Sequence, residues 1–153
     1  MIRIQPCFMN TYRTMPHLPT TTLLAFGVCV VISMVSCTEK QTNDPTETYK
    51  FWTGERPSKD VDVIHGRYWQ SAHWSKEYVM YLDLKASPDW RLEFIKQNNL
   101  VKSSEQYGLP SDAPNWFKPT KSFQTFVQAG SGQGSVYYED TLTGRMLIYE
   151  TQL

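Results

Sequence analysis

The strongest constraint on this chain is the position of its one long apolar run. Leu23-Leu-Ala-Phe-Gly-Val-Cys-Val-Val-Ile-Ser-Met-Val35 stands near the start and gives way at once to a polar stretch. The run is 13 residues long, where a helix that crosses a bilayer needs about 20. Ahead of it lie Arg3, Arg13 and His17 and no acidic residue; a start at Met9 in place of Met1 keeps Arg13. A basic lead, a short apolar core and a small residue at its end are the parts of a secretory signal peptide, not of a packed domain. The folding unit is therefore sought downstream, in a segment of a length that suits one small domain.

The end of the apolar run is more specific. Met34-Val35-Ser36-Cys37 resembles the lipobox of bacterial lipoprotein precursors, with Met34 in place of the usual leucine. Cys29 fits less well because Val28, not a small residue, precedes it. The resemblance implies a diacylglyceryl group on the Cys37 sulfur and cleavage before Cys37. Several acyl chains then anchor the protein where a single one would not, each buried CH₂ contributing about 0.8 kcal/mol. It also implies a bacterial cell envelope, and Thr38 after the cysteine, where inner-membrane lipoproteins often carry Asp, favours the outer membrane over the inner.

On that reading Cys7 and Cys29 leave with the signal and Cys37 is acylated, so the mature domain has no free thiol, no disulfide and no cysteine metal ligand. The whole chain has 15 basic and 15 acidic residues; beyond Cys37 there are 13 basic and 15 acidic, a net charge of −2. A nucleic-acid binder would carry a basic excess. The expected organisation is a signal peptide over 1–36, a lipidated Cys37 with a flexible tether to residue 50, and one domain over 51–153. As a random coil the tether would reach about 20 Å.

Within the domain, Val61–Trp69 and Glu77–Leu84 are rich in β-branched and aromatic residues and read as two paired strands. Ser87-Pro-Asp-Trp90 opens a helix: Ser87 as N-cap, Pro88 in the first turn, Asp89 against the positive helix end. Trp90 and Phe94 stack one turn apart, and Asn98-Asn99 ends the helix. Ser122–Gln128, Ser135–Glu139 and Arg145–Glu150 read as strands joined by glycine turns, with Gly144 supplying a positive φ. The order predicts an α+β domain: a small antiparallel sheet of about five strands with one helix on a face.

Leu100–Lys121 is long for a connector, and prolines hold its Trp116-Phe117 pair extended. The pair either folds back over the core, the preferred reading, or is presented to a partner. Strand alternation sends Asp60 and Asp62 to one face and His65 to the other, so these three form no metal or catalytic set. Gly130-Ser-Gly-Gln-Gly-Ser135 lacks the helix and lysine of a phosphate loop and reads as a hairpin turn. No Gly-x-Ser-x-Gly elbow occurs.

The remaining signal is aromatic. Trp69, His73 and Trp74 flank a turn beside Arg67 and Lys76, an assembly on which a protein or sugar can stack. The candidate binding residues are thus Trp69, His73, Trp74, Trp116 and Phe117, and the lipidation site is Cys37. No catalytic residue, metal or cofactor is assigned. The expected function is a membrane-anchored envelope lipoprotein whose domain binds another protein without catalysis. A glycan- or peptidoglycan-binding module is the second expectation. A small hydrolase pairing His73 with Asp83 or Glu105 is the third.

Overall fold

The computed structural model describes residues 38–73, 75, 77–130 and 134–152. Among them the chain forms β1 (Lys40–Thr42), α1 (Pro45–Thr53), β2 (Val61–Gln70), β3 (Tyr78–Ala86), α2 (Pro88–Gln97), β4 (Leu100–Ser103), β5 (Gln124–Gln128), β6 (Val136–Asp140) and β7 (Arg145–Gln152). The strands make one sheet in the order β1-β2-β3-β7-β6-β5-β4, and every pairing is antiparallel. The chain starts at the β1 edge and moves inward to β3. Helix α2 then carries it to the far edge at β4, and it returns strand by strand until β7 closes against β3.

The α+β class holds, with seven strands where the sequence pointed to about five and two helices where it pointed to one. The additions are β1, β4 and α1. Both extra strands are short edge strands; Lys40–Thr42 is polar throughout and Leu100–Ser103 has its two apolar residues side by side, so neither shows an alternation to read. Helix α1 occupies much of the stretch expected to be a tether, and the compact unit begins at Thr38. Its start signals were present: the Asp44 carboxylate accepts from the Glu47 amide at 2.7 Å, Pro45 follows the cap, and Gly54 closes the helix at φ 83°.

Alternation along β3 sends Met80, Leu82 and Leu84 to one face and Tyr81 to the other, and all four are buried. The first face is covered by both helices, through Tyr49 and Trp52 of α1 and Trp90, Phe94 and Ile95 of α2. Trp90 and Phe94 stack at 5.1 Å, as the i, i+4 spacing predicts, while Leu92 points to solvent. Helix α1 approaches β2 so closely at Gly66 that a Cβ there would lie 2.6 Å from Thr48 Cβ. Among the described residues no helix covers the second face. The connection from β4 to β5 folds over it instead, with Tyr107, Ala113, Trp116, Phe117 and Phe123 packed against Tyr81, Tyr138 and Leu147.

The Glu150 carboxylate of β7 ties α1 to the sheet. Glu150 is buried, and it accepts hydrogen bonds from Trp52 Nε1 (2.8 Å), Tyr78 Oη (2.9 Å) and Tyr137 Oη (2.7 Å). Three donors satisfy a buried charge that has no ion-pair partner among the described residues. Nearby, Arg91 of α2 and Glu139 of β6 form a buried pair at 2.9 Å. Burial pushes the Tyr68 phenol up to about 12. Burial first, then the charge of Glu150, raises those of Tyr78 and Tyr137 further.

Two outcomes follow from this core. Glu150→Gln places an amide NH₂ among three donors, so urea unfolding should show a loss on the order of 1–3 kcal/mol. The raised phenols hold their protons more tightly in the folded than in the unfolded chain, whose tyrosines titrate near 10.0. Their contribution is therefore complete below that pH and is lost as pH rises through the folded values, each phenol adding a slope of up to about 1.4 kcal/mol per pH unit. The urea midpoint should be insensitive to these groups up to pH 10.0 and fall steeply above it.

Candidate functional site

Strand β2 does not keep a strict period of two. Its register against β3 shifts between Val63 and His65, so Ile64 is an extra residue without a partner. Such a bulge turns the following side chains over. Val61 and Val63 face the helices before it, and Tyr68 faces them after it. His65, Arg67 and Trp69 therefore point to the loop-covered face, the side that Asp62 also takes. The expectation that His65 and Asp62 lie on opposite faces fails for this reason.

The bulge sets His65 opposite Asp83 of β3. Asp83 is fully buried and carries three charge-assisted hydrogen bonds. Arg145 of β7 holds it bidentately, Nε to Oδ1 at 2.8 Å and Nη2 to Oδ2 at 2.9 Å, and His65 Nδ1 reaches Oδ2 at 2.9 Å. The hydrogen bonds to Asp83 raise the Arg145 guanidinium further. With both carboxylate oxygens accepting, His65 Nδ1 is a donor, which leaves Nε2 as the ring nitrogen not bonded to Asp83. The imidazole is 46% exposed and lies flat on Trp116, at 5.1 Å between centroids and 13° between planes.

The loop that delivers Trp116 is fixed from below. Phe117 is 1% exposed and packs edge-on against Tyr81 at 5.2 Å and Tyr138 at 6.1 Å. Tyr81 Oη donates to Asp112 Oδ1 at 2.8 Å, and burial together with that bond raises its phenol. Arg67 donates to the Asp112 carbonyl at 2.7 Å and lies over the Tyr81 ring. Farther along β2, Trp69 is half-buried and its Nε1 donates to Glu39 Oε1 at 2.7 Å. Beside this row a hollow of about 420 Å³ is lined by Gln41, Asn43, His65, Arg67 and Trp116, with Pro45, Gly66 and Pro114.

The sequence-predicted residues are thus dispersed. Trp69 and Trp116 belong to this row, and Phe117 lies in the core beneath it. His73 is exposed in the β2–β3 connection, without a hydrogen-bond partner among the described residues. Asp83 is engaged by His65 and Arg145 and not by His73, while Glu105 accepts from Tyr107 Oη at 3.0 Å in another part of the molecule. Cys37 and Trp74 lie outside the described residues. Sequence reasoning missed His65, Asp83 and Arg145 as a unit. The available signal was Asp83 itself, a lone carboxylate inside an otherwise apolar strand, which needs a partner when buried.

The hollow offers amide, guanidinium and imidazole groups beside an indole. No hydroxyl or thiol nucleophile lines it among the described residues, and no three of His, Cys, Asp and Glu converge as metal ligands there or elsewhere among them. Groups of this kind can hydrogen-bond and stack against a ligand. A second hollow of about 530 Å³, lined in part by Ser103, Glu105 and Tyr107, has these three groups bonded to one another.

Truncating the base of the site should cost more than truncating its rim. Asp83→Ala strands Arg145, whose side chain is 35% exposed, so the loss should be on the order of 2–4 kcal/mol, below that of a fully dry pair. His65→Gln, at a half-exposed rim, should cost less than about 1 kcal/mol. Urea unfolding of the two variants checks this, and equal losses would remove the distinction.

Compared with known proteins, the chain matches no family model, no curated protein and no solved structure.

Proposed function

We propose that this chain is a bacterial envelope lipoprotein, acylated at Cys37, whose domain binds another envelope or extracellular protein through the row His65–Arg67–Trp69 and the neighbouring Trp116. The observation that carries the binding reading is pre-organisation. His65 is held by a buried carboxylate, Arg67 donates to the Asp112 carbonyl, Trp69 donates to Glu39, and Trp116 rides on a buried phenylalanine. Tryptophan and arginine held in place before contact lose little freedom on binding, and they dominate interface energetics where they are exposed. The anchor reading is supported by the apolar run ending in Met34-Val35-Ser36-Cys37.

A photo-crosslinking residue at exposed Asn115, beside Trp116, should give a discrete adduct in cells, and the same residue at Leu92 on the helix-covered side should not. Adding Arg67→Ala and Trp116→Ala should abolish the Asn115 adduct. Identical adducts from both positions would overturn the assignment of the face. For the anchor, the mature N-terminus in a membrane fraction should carry the mass of an acylated Cys37, and Cys37→Ala should be unprocessed or released.

A glycan ligand is the second reading, favoured by the hollow, whose planar amides, guanidinium and indole suit sugar hydroxyls and a ring face. Co-sedimentation with purified cell wall that is lost in Trp116→Ala would support it, and no co-sedimentation of the wild type would remove it.

A further inference from the structure

Only Thr38 and Glu39 separate Cys37 from the first residue of β1. Three Cα steps span at most about 11 Å. At the other end of that short link, Lys40 pairs with Gln70, the last residue of β2, so β1 begins beside the β2–β3 connection. Gln70 pairs with Tyr78, and Tyr78 with Gln152 of β7, which places these strand ends together on one side of the domain. The opposite side is marked by the pairs Val61–Ala86 and Asp140–Arg145. Along β3 the two sides are about 26 Å apart at roughly 3.3 Å per residue.

We infer, resting on the acylation of Cys37 proposed above, that the domain stands on the membrane with its β2–β3 connection against the lipid headgroups. The link is too short for the domain to float free of the bilayer or to present its far end to it. The connection contains Trp74 by sequence, a residue type enriched where protein meets the membrane–water interface. In this orientation Trp69 lies nearest the bilayer and His65 farther from it, so the binding row opens sideways, along the membrane surface.

The mature chain has no cysteine other than Cys37, whose thiol the acyl group blocks, so single introduced cysteines can be labelled selectively. Full-length protein carrying Ala72→Cys or Thr141→Cys would be labelled with a fluorophore. Each is then reconstituted in phosphatidylethanolamine–phosphatidylglycerol vesicles containing a nitroxide-headgroup lipid. Both positions are exposed, one on each side of the domain; Ser75→Cys and Lys59→Cys repeat the comparison at independent sites. Quenching at Ala72→Cys and its absence at Thr141→Cys is the expected result. Equal quenching, or stronger quenching at Thr141→Cys, in protein shown by mass to be acylated overturns the orientation alone. An unacylated Cys37 in the same preparation overturns the anchor and the orientation with it.

Discussion

A sheet whose central strands are apolar on both faces has to be covered twice. Strand β3 imposes this condition: Met80, Leu82 and Leu84 face one way, Tyr81 faces the other, and none of them tolerates water. Two amphipathic helices supply the first cover. The connection between β4 and β5 supplies the second, with Phe117 as its plug. An irregular segment can serve as a layer only if its backbone groups find partners. Here short turns do part of that, as where Phe117 N donates to the Pro114 carbonyl and Ala113 N to the Pro110 carbonyl. The length of this connection follows from the second cover.

Each face also contains a carboxylate that would be costly to bury alone, and the two are neutralised by different means. Glu150 draws on the hydroxyls and indole of its apolar surroundings and stays wholly internal. Asp83 uses Arg145, whose side chain reaches toward water, and so its network extends to the surface through His65. That difference explains why one cluster is part of the core and the other a candidate site. The loop meets the network at its edge, where Trp116 closes over His65 and Asp112 engages both Arg67 and Tyr81.

The sequence was readable where a side chain acts on its own neighbours. Ser87, Pro88 and Asp89 announce α2, Gly144 announces the last hairpin, and the β2–β3 pair is plain from its β-branched and aromatic content. The polar composition of Thr38–Lys50 obscured α1, although Asp44, Pro45 and Glu47 form the same kind of start signal as Ser87–Asp89. Its apolar residues, Tyr49, Phe51 and Trp52, come only in its second half. What could not be read was the bulge at Ile64. One unpaired residue inverts every later side chain of β2, and the one sign of it in Val63-Ile-His-Gly66 is Gly66, which inside a strand marks either a bulge or a close approach and here also admits Thr48. The site depends on that inversion, so reading alternation without it separated His65 from the face on which Asp83 and Trp116 meet it.

The strand order has a consequence for how the protein comes into being. Strand β7 lies in the middle of the sheet, yet it is synthesised after the six others. Until Arg145–Gln152 is available, β3 and β6 each present an unpaired apolar edge, and neither half of the sheet is closed. Arg145, the residue that holds Asp83, arrives only then. The proposed binding row of β2 is therefore completed only after the other six strands have been made, and until then the chain has every described element of the fold except the one that joins its halves. Long-range closure of this kind is slow compared with local pairing. During that interval the open edges are exposed to association with other chains, and a factor that shields them would act before the domain has acquired its site.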